Sequence, residues 1–251
     1  MAKRVDVTVI VNAHKEGLIA SATLKSAQLS IAAALTQGVQ AELLIVLDRP
    51  DQNTRDLAAS WLKSDARMRS LDVDVGDLGL ARNAGVQISR GKWIAFLDAD
   101  DLFGKDWLWK AYQAATLEPR EVVWHPETNL YFGARPHVFT HVDMDDPEID
   151  PAAICNSNLW TALCFASRDL LLRVPYRATQ LEKQIGFEDW GWNLETMANG
   201  VIHKIVPGTA HAIRTKSTSL VSRTTQAGCL PYPTRMFREI LDQRSKAAPT
   251  D

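Results

Sequence analysis

Trp93-Ile94-Ala95-Phe96-Leu97-Asp98-Ala99-Asp100-Asp101 is the stretch on which the reading of this chain turns. A short apolar run of this kind predicts a buried strand, and here it stops in three carboxylates within four residues. Like charges packed so closely repel, and a buried carboxylate without a partner is strongly unfavourable. The strand end therefore calls for positive charge, with a divalent cation as one solution. A strand running out into a solvated acidic turn is the other.

Upstream, strands and helices alternate. Val7-Thr8-Val9-Ile10-Val11 reads as a strand ending at Asn12-Ala13-His14-Lys15-Glu16-Gly17. Apolar residues then recur at helical spacing from Leu18 to Thr36, and Gly38 follows as a stop. Residues 42–47 read as a second buried strand ending at Asp48-Arg49-Pro50. A helix is predicted over 53–63, a short strand over 71–75 and a helix over 78–89. This alternation implies an α/β fold, Rossmann-like, with a mostly parallel central sheet and helices on both faces. Ligands of such sheets bind beyond the carboxyl ends of the strands. Asn12, His14, Asp48 and Asp98 all fall there.

The second half is less regular. Residues 121–142 read as strand broken by Pro126, Gly133 and Pro136. Further strands are predicted over 160–166 and 201–206, and a helix follows Gly186-Phe187-Glu188-Asp189-Trp190-Gly191-Trp192 through Met197. Asp101 reads as a cap for a helix starting near Lys105. Asn156-Ser157-Asn158 forms a polar run just before the strand predicted over 160–166.

With 251 residues, 46% apolar and 23% charged, the chain has the composition of a globular protein with a sizeable core. Its net charge of -2 gives no electrostatic argument for nucleic acid or an anionic membrane. Cys155, Cys164 and Cys229 are odd in number and lack metal-site spacing, so they read as reduced thiols of a cytosolic protein. No secretory signal is expected, nor a stretch of the roughly 18 apolar residues that spans a bilayer. The expected place is the cytoplasm or the inner face of the membrane, with peripheral membrane contact left open.

Five motifs in order carry a resemblance. They are the strand and loop through Asn12, His14 and Glu16; Gly79-Leu80-Ala81-Arg82-Asn83-Ala84-Gly85; Asp98-Ala99-Asp100; Glu188-Asp189; and His211 with Arg214. Together they resemble the inverting glycosyltransferases of family 2, which have the GT-A fold. The resemblance implies a transferase (EC 2.4 class) that moves a sugar from a nucleotide-sugar, UDP-linked by expectation, to an acceptor hydroxyl. A glycan, lipid-linked or other hydroxyl acceptor is implied, in bacterial surface-glycan synthesis. The Q-x-x-R-W motif of processive members is absent, so a non-processive enzyme is expected.

The resemblance also assigns roles. Asn12, His14, Glu16, Asp48, Arg82, Asp98 and Arg214 would bind the donor. Arg82 has a second reading, a structural ion pair with Asp48 or Asp77. Asp100 and His211 would hold Mn²⁺ or Mg²⁺, with Asp98 acting through a bound water. Asp189 is the candidate general base, helped by Glu188, and Trp190 and Trp192 would stack on the acceptor. A capping acid before a helix is the alternative for Asp189. The implied organisation is one GT-A domain over 1–244. Its nucleotide-binding half spans about 1–101, its acceptor half 102–228 and a C-terminal helix 229–244, with a flexible tail at 245–251. A sugar nucleotidyltransferase and a non-catalytic binding module on the same fold are the competing classes. The first lacks a glycine-rich phosphate loop here, and intact acidic motifs argue against the second.

Overall fold

The structure, a computed structural model, describes residues 4–216, 219–235 and 238. Four strands form its parallel part: β1 (Val7–Ala13), β2 (Ala41–Asp48), β3 (Met68–Val73) and β4 (Trp93–Asp98). They lie in the order β3-β2-β1-β4. Every residue of β1 and β2 is buried, as strands covered on both faces require. Helix α1 (Ala20–Thr36) lays Leu24, Ala27, Ile31 and Ala34 on the face carrying Val9, Val11, Leu43 and Ile45. Helix α2 (Gln52–Ser64) is capped by Asp51, which accepts from the Thr54 N–H at 2.9 Å.

Helix α3 (Leu78–Ile88) covers the opposite face, on Ile10, Leu44, Val46 and Phe96. Asp77 caps it by accepting from the Leu80 N–H at 2.9 Å. Gly85 is the closest approach: a Cβ there would stand 2.9 Å from both Ile10 Cγ2 and Val46 Cγ2. Only glycine lets this helix descend onto the sheet, and with it Arg82.

The second half continues the same sheet. It adds β5 (Leu102–Phe103), α4 (Trp107–Leu117), β6 (Val122–Gly133), β7 (His137–Thr140), β8 (Phe165–Ser167) and α5 (Arg168–Arg173). Then follow α6 (Glu188–Ala198), β9 (Ile202–Thr215) and α7 (Leu220–Gln226). The full order is β3-β2-β1-β4-β8-β6-β9-β5, with β7 paired to β6. The short β8 joins the halves antiparallel, on β4 at one side and β6 at the other. The long β6–β9 pairing is parallel, with an irregularity between Pro126 and Thr128.

Several expectations shift here. The strand predicted over 160–166 is ordered as strand only from Phe165, because Trp160 is buried as a core side chain whose Nε1 donates to the Val142 carbonyl at 2.8 Å. The strand predicted over 201–206 runs on to Thr215 because β6 pairs with it along its whole length. Asp101 caps nothing, since α4 begins at Trp107 with Asp106 before it. The tail 245–251 and half of the helix expected over 229–244 lie outside the described residues, and residues 229–234 of that span are not helical, because Leu230 is bridged to Ile185 instead. Gly17–Thr36 corrects the expectation of no membrane-length segment: its 20 residues, mean hydropathy 1.4, are long and apolar enough to cross a bilayer. Here that segment packs its apolar stripe into the core. Cys164 and Cys229 are free thiols, and burial pushes the Cys164 thiol up to about 12.

Behind the second half lies a buried histidine stack. His125 Nε2 and His203 Nδ1 are 2.9 Å apart, and His203 Nε2 faces Thr196 Oγ1 at 2.8 Å. Trp160 stacks on His203, and His141 Nδ1 lies 2.7 Å from the Pro126 carbonyl. Burial lowers all three: His125 well below its usual value, His141 to about 4 and His203 to about 3. The unfolded chain therefore takes up protons below about pH 6.5 that the folded chain refuses. Their contribution to stability is intact above that pH and is lost as pH falls toward 4 and 3. Urea midpoints should fall between pH 7 and 5, by up to about 1.4 kcal/mol per pH unit per histidine. His203→Gln should flatten the slope relative to wild type; an unchanged slope would refute the assignment.

Candidate active site

The carboxyl ends of β1, β2 and β4 meet, with Asn12 paired to Asp98 on one side and Val46 on the other. The Asn12 amide is buried and both of its polar atoms are without a partner. Such an orphaned pair at a strand end is unusual and suits a bound polar group. Its neighbours are more occupied. The Asp48 carboxylate accepts from the Val75 and Gly76 N–H groups, both at 3.0 Å, and so shapes the loop before α3. Glu16 accepts from the His14 N–H at 2.6 Å, and the His14 ring is turned to the Asp48 carbonyl. The His14 residue is exposed, while Asp48 and Glu16 organise the loops around it.

Arg82 is wholly enclosed. Its NH1 donates to Glu188 Oε1 at 2.9 Å, and its NH2 to the two Asp98 oxygens at 3.0 and 3.1 Å. Its guanidinium also lies over the Phe96 and Tyr176 rings. Burial opposes its charge, but Asp98 and then Glu188 more than offset that, so its pKa is raised and it stays protonated. This is an ion pair, as the second reading of Arg82 held, but with different partners from Asp48 or Asp77. Its terminal nitrogens are spent on protein carboxylates, so its effect on a donor passes through Asp98.

The other acids of the β4 end are also partnered. Asp100 Oδ2 lies 2.7 Å from Lys216 Nζ and 3.9 Å from Arg214 NH1. Asp101 is buried and accepts from the Arg214 N–H at 2.7 Å. Desolvation, then Asp98 and Asp100, push its carboxyl well above the usual range. His211 is buried between Phe103 and Trp107. Its Nδ1 lies 3.0 Å from the Ala210 carbonyl, and its Nε2 is buried without a partner. The Gly104 N–H also points at Nδ1, at 3.4 Å; with the proton on Nδ1 the ring would offer an Nε2 lone pair to a metal, and with Nδ1 accepting from Gly104 it would not. Carboxylates at Asp98 and Asp100 supply the hard donors a divalent cation prefers. Among the described residues, however, no three His, Cys, Asp or Glu side chains are gathered into a metal shell.

Glu188 and Asp189 open α6 and face the same region from the other half. Phe187, just before them, has φ +54°, a left-handed conformation that is costly for a bulky residue. No side chain caps the helix, which rules out the capping role for Asp189. Asp189 Oδ1 accepts from the Trp190 N–H at 2.8 Å and Oδ2 from Asn158 Nδ2 at 3.1 Å. Burial raises both acids; Glu188 is raised further by Asp189, while Arg82 pulls both down. The residues after Gly228 brace this turn: the Gly186 N–H donates to the Leu230 carbonyl and the Leu230 N–H to the Gln184 carbonyl, both at 2.9 Å. Beside Glu188 is a small groove lined by Arg177, Thr179, Phe187 and Tyr232, with Arg177 stacked on Tyr232 at 4.1 Å.

The two tryptophans do not form the expected platform. Trp192 is buried, stacked on Tyr176 at 5.0 Å with its Nε1 donating to the Val174 carbonyl. It has no face left for a sugar. Trp190 is half-buried against Phe187, its Nε1 tied to the Ile154 carbonyl at 2.6 Å. Asn158, which the resemblance would set along a donor sugar together with Asn156 and Ser157, donates to Asp189. Sequence reasoning missed Lys216 and Asn193; the basic segment after His211 was the available signal for the first.

Residues 8–139, more than half of the chain, match the model of glycosyl transferase family 2. The chain belongs to that family. Related sequences include the uncharacterized glycosyltransferase EpsJ of Bacillus subtilis, 37% identical over 60 residues, which are 24% of this chain and 17% of that protein. The succinoglycan biosynthesis protein ExoO of Rhizobium meliloti is 39% identical over 87 residues, 34% of this chain and 25% of that one. The matched stretches thus span a quarter or less of these relatives. Among solved structures, S. aureus TarS 1-349 in complex with UDP-GlcNAc superposes with a TM-score of 0.67 at 15% identity, covering 95% of this chain and 65% of that one. Another crystal structure of S. aureus TarS 1-349 gives 0.62 at 16% identity, covering 83% and 60%. This likeness is one of fold, and it bears out the expected GT-A architecture.

Family membership makes Arg82 the natural first test. Arg82→Met leaves Asp98 and Glu188 buried without their cation, which should cost about 3–5 kcal/mol at pH 7. The loss should shrink at pH 4, where protonation of Glu188, whose carboxyl burial raises to about 7, removes its unpaired charge. Urea unfolding followed by tryptophan fluorescence at both pH values measures this, and a pH-independent loss would refute the ion-pair account.

Proposed function

We propose that this chain is an inverting, non-processive glycosyltransferase that moves a sugar from a UDP-sugar to an acceptor hydroxyl. One observation carries the reading: a single guanidinium joins Asp98 of the D-x-D strand end to the Glu188-Asp189 turn. A donor at the strand end and a base on α6 would then share one cleft. Asp189 takes the acceptor O–H proton as that oxygen bonds to the sugar's anomeric carbon. The bond from that carbon to the diphosphate oxygen breaks, and UDP leaves with the electron pair, inverting the centre. The burial that raises Asp189 also suits it as a base near neutral pH.

The neighbouring groups divide the remaining work. Asn12 and His14 border the nucleotide, Asp98 the ribose side of the donor, and Arg214 with Lys216 the diphosphate. Asp100 and His211, with Asp98 through water, would hold Mn²⁺ or Mg²⁺, which supplies Lewis-acid stabilisation of the departing diphosphate. A metal-independent reading is favoured by a specific contact: Lys216 Nζ already sits 2.7 Å from Asp100 and brings its own positive charge. The UDP-linked donor and a role in bacterial surface-glycan synthesis are supported by the TarS complex with UDP-GlcNAc and by the succinoglycan biosynthesis protein ExoO. The reduced thiols of Cys164 and Cys229 support a cytoplasmic place, including the inner face of the membrane.

UDP release from UDP-GlcNAc tests the base. Asp189→Asn should lower kcat by about 10²–10⁴ with little change in donor KM. Because the base must be ionised and burial raises its pKa, wild-type activity should fall as pH drops, starting at a higher pH than an ordinary aspartate would give. Release unchanged in Asp189→Asn would overturn the assignment. Thermal shift with UDP-GlcNAc tests the cation. An upward Tm shift that requires Mn²⁺ and disappears in Asp100→Asn supports the metal site. A shift that survives EDTA but is lost in Lys216→Met supports the metal-independent reading.

A further inference from the structure

Two side-chain amides, one buried (Asn193) and one half-buried (Asn158), stand behind the candidate base. Asn158 Nδ2 donates to Asp189 Oδ2 at 3.1 Å, and Asn158 Oδ1 accepts from Asn193 Nδ2 at 3.0 Å. Asn193 Nδ2 also donates to the Trp160 carbonyl at 3.2 Å, and the residue is only 2% exposed. Asn193 lies one helical turn after Asp189 on α6, whereas Asn158 reaches in from the loop before Trp160.

Direction matters in this chain of contacts. A side-chain amide has a donor end and an acceptor end of nearly equal shape, so it can be seated in two ways. The Trp160 carbonyl only accepts, which fixes the NH₂ end of Asn193 toward it and toward Asn158. Asn158 must then show its carbonyl to Asn193 and its NH₂ to Asp189. The reverse seating would press two acceptors together at the base. Each carboxylate oxygen has further lone pairs, so Asp189 so held can still accept a proton.

We infer that Asn193 and Asn158 form a positioning relay that holds the Asp189 carboxylate in its reactive orientation. Neither residue touches substrate; both act through Asp189, and the inference rests on the role of Asp189 proposed above. Charged groups around Asp189 come from three elements: Glu188 on α6, Arg82 on α3 and Asp98 on β4. Its neutral contacts are the Trp190 N–H on Oδ1 and the relay on Oδ2, and they set direction where those groups set charge.

Steady-state UDP release by the full chain tests this with Asn158→Ala, Asn193→Asp and the double variant, each also made in Asp189→Asn. Asn193→Asp replaces the donor end with a carboxylate, forcing Asn158 to turn its own carbonyl onto Asp189. Each single variant should lose roughly tenfold or more in kcat, with donor KM held within about twofold. The double should be no worse than the poorer single. In Asp189→Asn neither change should lower the residual rate further. Tm and far-UV circular dichroism establish that the variants are folded; should the buried Asn193→Asp fail, Asn158→Ala on its half-exposed loop carries the test. A wild-type kcat in Asn158→Ala, or an equal loss in Asp189→Asn, overturns the relay. If Asp189→Asn abolishes release while Asn158→Ala is harmless, the relay alone fails; if Asp189→Asn is itself harmless, the base assignment fails and the relay with it.

Discussion

One buried guanidinium organises this protein. Arg82 is fully enclosed and is bonded to Asp98, 16 residues away in sequence, and to Glu188, 106 residues away. Removing an arginine from water is strongly unfavourable unless its hydrogen bonds are satisfied, and two carboxylates supply most of them. The same contact neutralises acids that would otherwise repel one another across the cleft. It also places the end of β4 and the first turn of α6 on either side of one side chain. Gly85, a few residues further along α3, lets the helix sit close enough for this.

The first half was largely readable because its signals are local. Continuous apolar runs mark β1, β2 and β4, and Asp51 and Asp77 cap α2 and α3 where turn chemistry predicts helix starts. The acids at strand ends follow from the topology of parallel sheets. What each acid touches was not readable. Arg82 had two credible partners in Asp48 and Asp77 and took two others, because only the packing of α3 against both halves determines its reach.

The second half was harder for a related reason. With α6 expected to begin after Trp192, the phase of its faces was lost. Started at Glu188, the helix puts Asp189 and Asn193 one turn apart, while Trp192 turns to Tyr176 in the core. Trp190 and Trp192 look like sugar platforms in a sequence because aromatic residues serve both burial and stacking. Asn158 has no periodic or charge signal, and its bond to Asp189 exists only once the loop folds back. Lys216 was hidden likewise, since its partner Asp100 lies on the opposite side of the sequence.

The continuity of the sheet has a mechanical consequence. Backbone pairing runs unbroken from β3 through β4 and β8 to β6 and β9, so the two halves share a single frame. A jaw-like swing between them would tear strand pairings and pull Arg82 from one of its acids. Accommodation of differently shaped partners thus falls to the connecting loops between β7 and β8 and between α5 and α6. Such a division lets those loops diverge in length and sequence while the frame beneath them stays stiff. The same scaffold can then be retuned for new acceptors without being rebuilt.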